Sequence, residues 1–433
     1  MIVDISIKNF RSFREEVLFS MVAERGFNDR TENYRVVEAG KISVLRSAVI
    51  FGANASGKSN LLRAIRAIKW LITASSDRKD GQKIPPYEPY KLDPQFNVSP
   101  VHFEIEFIVP SGMRYRYDVS FDASRVLTES LYSYPTRQKA LIFSRGVDDT
   151  WETIRFGAAL KGGSRRLPFF PNSTYLSRAG NDASSPEMIQ EIIRYFRSIP
   201  VLKASSNIKS NDYYADNERL DFMAELLLLA DTNIKRITRD ENDNPPILHL
   251  PDALPEEIKQ TIIDEHKLKF SFWSEDTKGD LVQFEEDEIS DGTLKVFRFM
   301  PVILNALATG SPIFIDELDG HLHTAIVSLL LKIFNDDDLN SFGSQLIFTT
   351  HDTNVLGTGQ MRRDQLWFVS KKGGASELRA ADSYDKKNVR ADSPLEAYYQ
   401  AGRFGAWPNI NMTRLRSTIA AAIQKASVKS DVE

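Results

Sequence analysis

The 433-residue sequence contains no cysteine. This excludes disulfides and thiolate zinc sites, and fits a reducing cytoplasm. No stretch approaches the ~20 continuous apolar residues of a membrane span, so no membrane partner is expected. Met1-Ile2-Val3-Asp4 places an acid where a secretory signal needs a basic region. Charge of one sign is also lacking: 55 Lys and Arg against 59 Asp and Glu leave a net charge of −4. Nucleic acid would therefore find only a local basic patch, not a global attraction. Neither an internal repeat nor a sustained heptad run is present. What remains is a soluble, cytoplasmic, globular chain of ordinary composition, with 42% hydrophobic and 26% charged residues. Its length accommodates two or three domains, or one large domain with insertions.

Against these absences one stretch stands out. An apolar run, Ser47-Ala48-Val49-Ile50-Phe51, ends at Gly52. A Gly-x-x-x-x-Gly-Lys-Ser loop follows through Ser59, and then Leu61, Leu62, Ile65 and Ile68 recur at helical spacing. The pattern reads as strand, phosphate loop and helix. Gly52 and Gly57 let successive backbone N–H groups converge on phosphate oxygens. Lys58 can reach the β- and γ-phosphates, the Ser59 hydroxyl can ligate Mg²⁺, and the helix presents its positive end to the anion. Asn54, Ser56 and Asn60 complete the expected nucleotide-binding stretch.

Taken in order, the chain alternates between two styles. Val3, Ile5 and Ile7 alternate with polar residues as a first strand, which runs into Asn9-Phe10-Arg11-Ser12-Phe13. Residues 20–46 suit loop and edge strand, and 75–100 a polar surface connection. Alternation at 101–107 and 115–121 around a Pro-Ser-Gly turn is the clearest hairpin, with further strands at 126–132 and 140–144. Its Arg and Tyr residues suit a solvated sheet face, with nucleic acid kept as a candidate partner. Helical patterns follow: one opens at Ser185-Pro186, with Ser as cap and Pro first in the helix, and another covers 220–230. Residues 242–246 are a turn-rich gap, and 267–273 and 281–284 read as strands.

The last third carries a second cluster. Ser290-Asp291-Gly292-Thr293 precedes a helix at 294–307 that contains Pro301. A buried strand, Pro312-Ile313-Phe314-Ile315, ends in Asp316-Glu317, and Leu318-Asp319 and a helix follow. Another buried strand ends at His351, and 366–369 is a last strand. Apolar strands alternating with helices argue for a mainly parallel α/β core. Adjacent carboxylates at the end of a buried strand are costly unless they meet a cation or handle a proton. Asp316 suits Mg²⁺, and Glu317 suits polarising the water that attacks a γ-phosphate. Strand-end His351 falls on the same sheet edge, where open α/β sheets bind ligands.

The order of these parts resembles the ATP-binding-cassette ATPases, in the branch shared with SMC-like and RecF-like DNA-repair proteins. Asn9-Phe10-Arg11-Ser12-Phe13 resembles the segment that opens proteins of that branch, which adds Arg11 to the nucleotide-binding set. Ser290-Asp291-Gly292-Thr293, Arg363-Asp364-Gln365-Leu366-Trp367-Phe368 and Tyr399-Gln400-Ala401-Gly402-Arg403-Phe404-Gly405 narrow the likeness to the AbiLi/RloA-type, AAA-annotated ATPases of bacterial abortive-infection and phage-defence loci. The resemblance implies a P-loop NTPase of the ABC/SMC type with a mainly parallel central sheet, an antiparallel β lobe and a helical insertion. Residues 1–180 would form the first half, 181–266 a mainly helical insertion and 267–433 the second half. It implies ATP and Mg²⁺ as cofactors, with Ser59 and Asp316 on the metal and Glu317 and His351 as base and γ-phosphate sensor. Ser290, Gly292 and Thr293 would be the signature and Asp319 the D-loop acid, facing the nucleotide of a second copy in an ATP-sandwich dimer. The Q-loop glutamine has only Gln138 as a candidate. The implied activity is slow, partner-regulated ATP hydrolysis, sensing or scaffolding for a separately encoded effector such as a nuclease. A DNA-repair ATPase, a transporter ATP-binding subunit and an ATP-driven switch with little turnover are the other readings. The missing heptad arm speaks against a full SMC protein. The lack of a Glu…Asp-x-Asp set after His351 speaks against a fused TOPRIM nuclease, and the single phosphate loop against tandem-cassette translation factors.

Overall fold

The computed structural model describes the chain apart from residues 25–29, 38–41, 137, 204–213, 215–216, 230–231, 242–267, 321, 385–393, 408–410 and 431–433. The apolar run before the phosphate loop forms the strand Ser47–Phe51, buried along its whole length. Its side chains alternate between two cores. Ala48 and Ile50 join one and Val49 and Phe51 the other, as the two-residue period of a strand requires. A strand buried on both faces sits inside a sheet covered on both sides.

That sheet has six strands in the order Val201–Lys203, Ile313–Asp316, Leu346–Thr349, Ser47–Phe51, Leu366–Lys372 and Ala375–Ala380. The first five run parallel and the last turns back antiparallel. Parallel pairing brings the C-terminal ends of Ser47–Phe51, Ile313–Asp316 and Leu346–Thr349 to one edge. On one face lies the helix Lys58–Thr73, which buries Leu61, Leu62, Ile65, Ile68 and Leu71. Each large aliphatic side chain removed from water there contributes about 1.5–3 kcal/mol.

The same core extends into a seven-stranded antiparallel lobe, ordered Arg155–Phe156, Ala140–Arg145, Val126–Ser133, Arg114–Phe121, Val101–Ile108, Ile2–Lys8 and Val17–Ser20. The expected hairpin is there, with Ile105 opposite Tyr117. Its outward arginines are engaged by carboxylates: Arg114 pairs with Glu106 at 2.7 Å, and Arg116 pairs with Glu104. The other face of the parallel sheet is covered by the helices Asn217–Leu229, Asp291–Thr309 and Thr324–Asn335. A three-stranded antiparallel sheet, Ile234–Glu241, Leu268–Glu275 and Leu281–Glu285, adjoins them. The architecture is that of a P-loop ATPase: a mainly parallel central sheet beside an antiparallel β lobe.

Within 181–266 the structure places the helices Glu187–Ser198 and Asn217–Leu229 and the strands Val201–Lys203 and Ile234–Glu241. The turn-rich gap at 242–246 and the chain at 230–231 lie outside the described residues. The start of Glu187–Ser198 differs from expectation. Pro186 is the cap of Glu187–Ser198 rather than its first residue, since its ψ of 139° is extended while its carbonyl accepts from Ile189. Ser185 is then displaced from the cap position, and its buried hydroxyl finds no hydrogen-bond partner. The helix Asp291–Thr309 begins three residues before the expected start at 294, because the Ser290 hydroxyl caps it by accepting from the Thr293 N–H at 3.3 Å, and it continues through Pro301.

Candidate functional site

Side chains crowd the phosphate loop. A Cβ on Gly52 would fall 2.5 Å from the Val369 carbonyl oxygen and 2.6 Å from the Ser56 hydroxyl. On Gly57, whose φ is +119°, it would meet the hydroxyls of Ser376 and Ser12. Only glycine tolerates both the contact and the left-handed backbone there. The loop is clamped from outside, since the Ser376 hydroxyl donates to the Ser56 carbonyl and the Ser376 N–H donates to the Ser12 carbonyl at 2.7 Å. Inside the loop, the Lys58 ammonium donates to the carbonyls of Gly52 at 2.6 Å and Ala53 at 3.2 Å. Burial lowers its pKa to about 8, although the carboxylates of Asp316, Glu317 and Asp319 act in the opposite direction.

The three parallel strand ends converge on this loop. The Asp316 carboxylate is buried and accepts from the Ser59 hydroxyl at 3.1 Å and from the Thr349 hydroxyl at 2.7 Å. Thr349 in turn accepts from the Glu317 N–H at 2.7 Å. Glu317 has left the strand conformation, with φ of +58°, and is exposed where Asp316 is buried. Two sequence-adjacent carboxylates thus acquire different environments. Asp319 accepts from the His351 N–H at 3.1 Å through one oxygen, while its other oxygen is buried without a partner. His351 is held below the ordinary imidazole range by burial first and by the Lys58 charge second.

The structure therefore gathers Gly52, Lys58, Ser59, Asp316, Glu317, Asp319 and His351 at one sheet edge. Asn54 is exposed at the tip of the loop and the Ser56 hydroxyl is buried without a hydrogen-bond partner. Arg11 reaches the set indirectly. Its guanidinium makes a two-pronged ion pair with Glu88 at 2.7 and 2.6 Å and donates to Asn60 at 3.0 Å. Asn60 donates to the Ser12 hydroxyl at 2.7 Å. Asn9, with φ of +53°, fastens the same connection by donating to the carbonyls of Phe96, Ser99 and Pro100. Ser290 and Thr293 hydrogen-bond one another at the mouth of their helix, with Ser290 and Asp291 exposed. Gln138 lies in an exposed turn of the antiparallel lobe, its N–H donating to Thr136.

Thr349 and Lys295 are among the residues that the sequence did not single out. Thr349 joins Asp316 to Glu317, and only its place on the strand next to Ile313–Asp316 reveals it. Lys295, one turn into the helix Asp291–Thr309, is buried and donates to the Gly320 carbonyl beside Asp319.

The donor set fits a magnesium nucleotide. An ammonium suits phosphate oxygens, and a hydroxyl paired with a buried carboxylate is hard oxygen chemistry of the kind Mg²⁺ prefers. The unpartnered oxygen of Asp319 and hydroxyl of Ser56 add polar groups without protein partners.

Residues 47–357 match the family described as AAA domain, putative AbiEii toxin, type IV toxin–antitoxin system. None of the curated proteins matches this chain. Among solved structures, the chain is similar to the SMC head domain from Thermotoga maritima at 14% identity, covering 88% of this chain and 98% of that one, with a TM-score of 0.39. A SmcHead bound to the C-winged helix domain of ScpA gives 14% identity, 88% and 97% coverage and a TM-score of 0.41. The recombination mediator RecF gives 13% identity, 88% and 98% coverage and a TM-score of 0.34.

Proposed function

The chain belongs to this AAA-domain family, and we propose that it is an ABC/SMC-like ATPase that binds Mg-ATP, hydrolyses it slowly and closes into a two-fold pair around it. The observation that carries the reading is the hydrogen bond between Ser59 and Asp316, which joins the phosphate loop to the acidic strand. Ser59 and Asp316 are the metal-holding pair. When bound, Mg²⁺ would neutralise charge on the phosphate oxygens.

The chain's own residues divide the remaining work. Lys58, released from the Gly52 and Ala53 carbonyls, balances the triphosphate charge. Glu317, exposed at the end of its strand, is placed to take the proton of the attacking water. Burial and the Lys58 charge favour the neutral form of His351, and the imidazole can hydrogen-bond the γ-phosphate. Its backbone tie to Asp319 lets the two segments respond together. Ser290, Gly292 and Thr293 open a helix whose amides and dipole suit an anion, yet the same chain already has a phosphate cradle. The signature therefore serves the nucleotide of a second copy, in an arrangement that uses each patch twice and closes.

The biological setting we propose is the AbiLi/RloA type, a sensor or scaffold of bacterial anti-phage defence acting with a separate effector such as a nuclease. The family's description as a putative AbiEii toxin supports a place in such loci. Subunit complementation tests the central arrangement. Lys58→Ala and Gly292→Asp should each abolish ATP turnover, and mixing them should restore part of it, since one composite site per mixed pair is intact. A mixture as inactive as its parts would reject the pair. Robust cleavage of DNA or RNA by the purified chain, lost on a point mutation within it, would reject the separate effector.

A further inference from the structure

Among the described residues, two exposed apolar surfaces match. The first is a groove of about 610 Å³ between the helices Asn217–Leu229, Asp291–Thr309 and Thr324–Asn335. Phe222, Leu229, Met300, Leu307, Leu329 and Phe342 line it, and Leu229 and Phe342 are 77% and 67% exposed. The second is the helix Met412–Ser430. Met412, Leu415, Ile419 and Ile423 recur on one of its faces at helical spacing, and every residue from 411 to 423 is exposed. An isolated amphipathic helix gains most of its stability from burying such a face.

The dimensions and charges agree. From Met412 to Ile423 the stripe runs about 16 Å at the helical rise. The groove floor, Val296 to Ala308 on one helix, runs about 18 Å by the same measure. Residues 412–423 carry Arg414 and Arg416 and no acid. The helix Asn217–Leu229, which lines the groove through Phe222 and Leu229, also carries the exposed acids Glu218, Asp221 and Glu225, beside Arg219. The strap before the helix is anchored, with Phe404 stacked on Phe368 at 4.1 Å and Trp407 against Tyr399 at 5.3 Å.

We propose that the C-terminal helix of one copy seats in the apolar groove of a second copy, in a reciprocal exchange independent of nucleotide. In its own protomer the stretch 411–423 stands in solvent, and exchange between two copies satisfies both surfaces twice and closes. Burial of the stripe drives the contact, and Arg414 and Arg416 against the acids of Asn217–Leu229 set its orientation.

The full chain, without nucleotide, supplies the test. Leu329→Asp and Ile419→Asp change exposed positions, so folding and Mg-ATP binding should persist. Each should weaken nucleotide-free self-association by roughly tenfold or more, the scale of losing an interface anchor. Because the chain lacks cysteine, Leu329→Cys and Ile419→Cys proteins can be mixed and treated with a short bis-maleimide. The mixture should give a cross-linked pair that neither variant gives alone. Three results overturn the proposal: a monomeric wild-type chain, self-association indifferent to both Asp variants, or a double-cysteine chain that cross-links only within itself.

Discussion

The Ser59 hydroxyl donates to the Asp316 carboxylate at 3.1 Å, across 257 residues of sequence. The same carboxylate oxygen accepts from Thr349, whose hydroxyl also receives the Glu317 N–H. Thr349 is thus the common partner of the two acids, one strand away from both. Replacing it with valine keeps the shape and removes the hydroxyl. Thr349→Val should lower stability by about 1–3 kcal/mol, the cost of leaving buried polar groups unpaired, and should reduce ATP turnover. Thermal unfolding and a turnover assay check this. An unchanged melting temperature would show that the bridge carries no weight.

Lys58 gives a pH dependence whose sign can be stated. Its folded pKa is about 8 against an ordinary value of 10.5. Below about 8 both folded and unfolded chains hold the proton, and burying the charge costs stability. Between the two values only the unfolded chain binds it, so this site's contribution to stability rises with pH. Nucleotide favours the charged ammonium, so ATP affinity should fall as pH rises through about 8. Binding above that pH should take up a proton. Titration calorimetry in buffers of different ionisation heat reads the uptake, and Lys58→Met should abolish it together with binding. Affinity independent of pH across that range would contradict the assignment.

Lys295 links the helix Asp291–Thr309 to the turn after the acidic strand through the Gly320 carbonyl. It is buried, and burial lowers its pKa. Lys295→Met retains the apolar stem and loses the tie. The substitution should leave ATP affinity within about twofold while lowering turnover on the order of tenfold, since it loosens a positioning contact rather than a binding group. A proportional fall in affinity and turnover would make Lys295 part of the nucleotide site instead.

The parts legible in the sequence are those whose meaning is local. The phosphate loop and the acidic end of Ile313–Asp316 depend on neighbours within a few residues, and the structure has both where the pattern places them. What was not legible depends on distant partners. Nothing near Arg11 announces that Glu88 will neutralise it, or that Ser12 and Ser376 will brace the loop. Val201–Lys203 is three residues long, too short for a periodic signal, yet it pairs with the acidic strand along its length. The first strand, Ile2–Lys8, shows its alternation plainly, but only the fold places it between Val17–Ser20 and Val101–Ile108 in the antiparallel lobe. The apolar groove was invisible because each of its helices shows an ordinary buried face, and the exposed remainder appears only once they are packed.

Glu317 is the residue on which the proposed chemistry turns. Its amide replacement keeps the size and can still accept a hydrogen bond, but it cannot take a proton. Single-turnover hydrolysis of Mg-ATP by Glu317→Gln, followed beside nucleotide binding, is therefore the most direct test. Binding should be unchanged, the rate lower by roughly a hundredfold or more, and the ATP-bound form should accumulate. Hydrolysis at the wild-type rate would place the base elsewhere and contradict its assignment to Glu317.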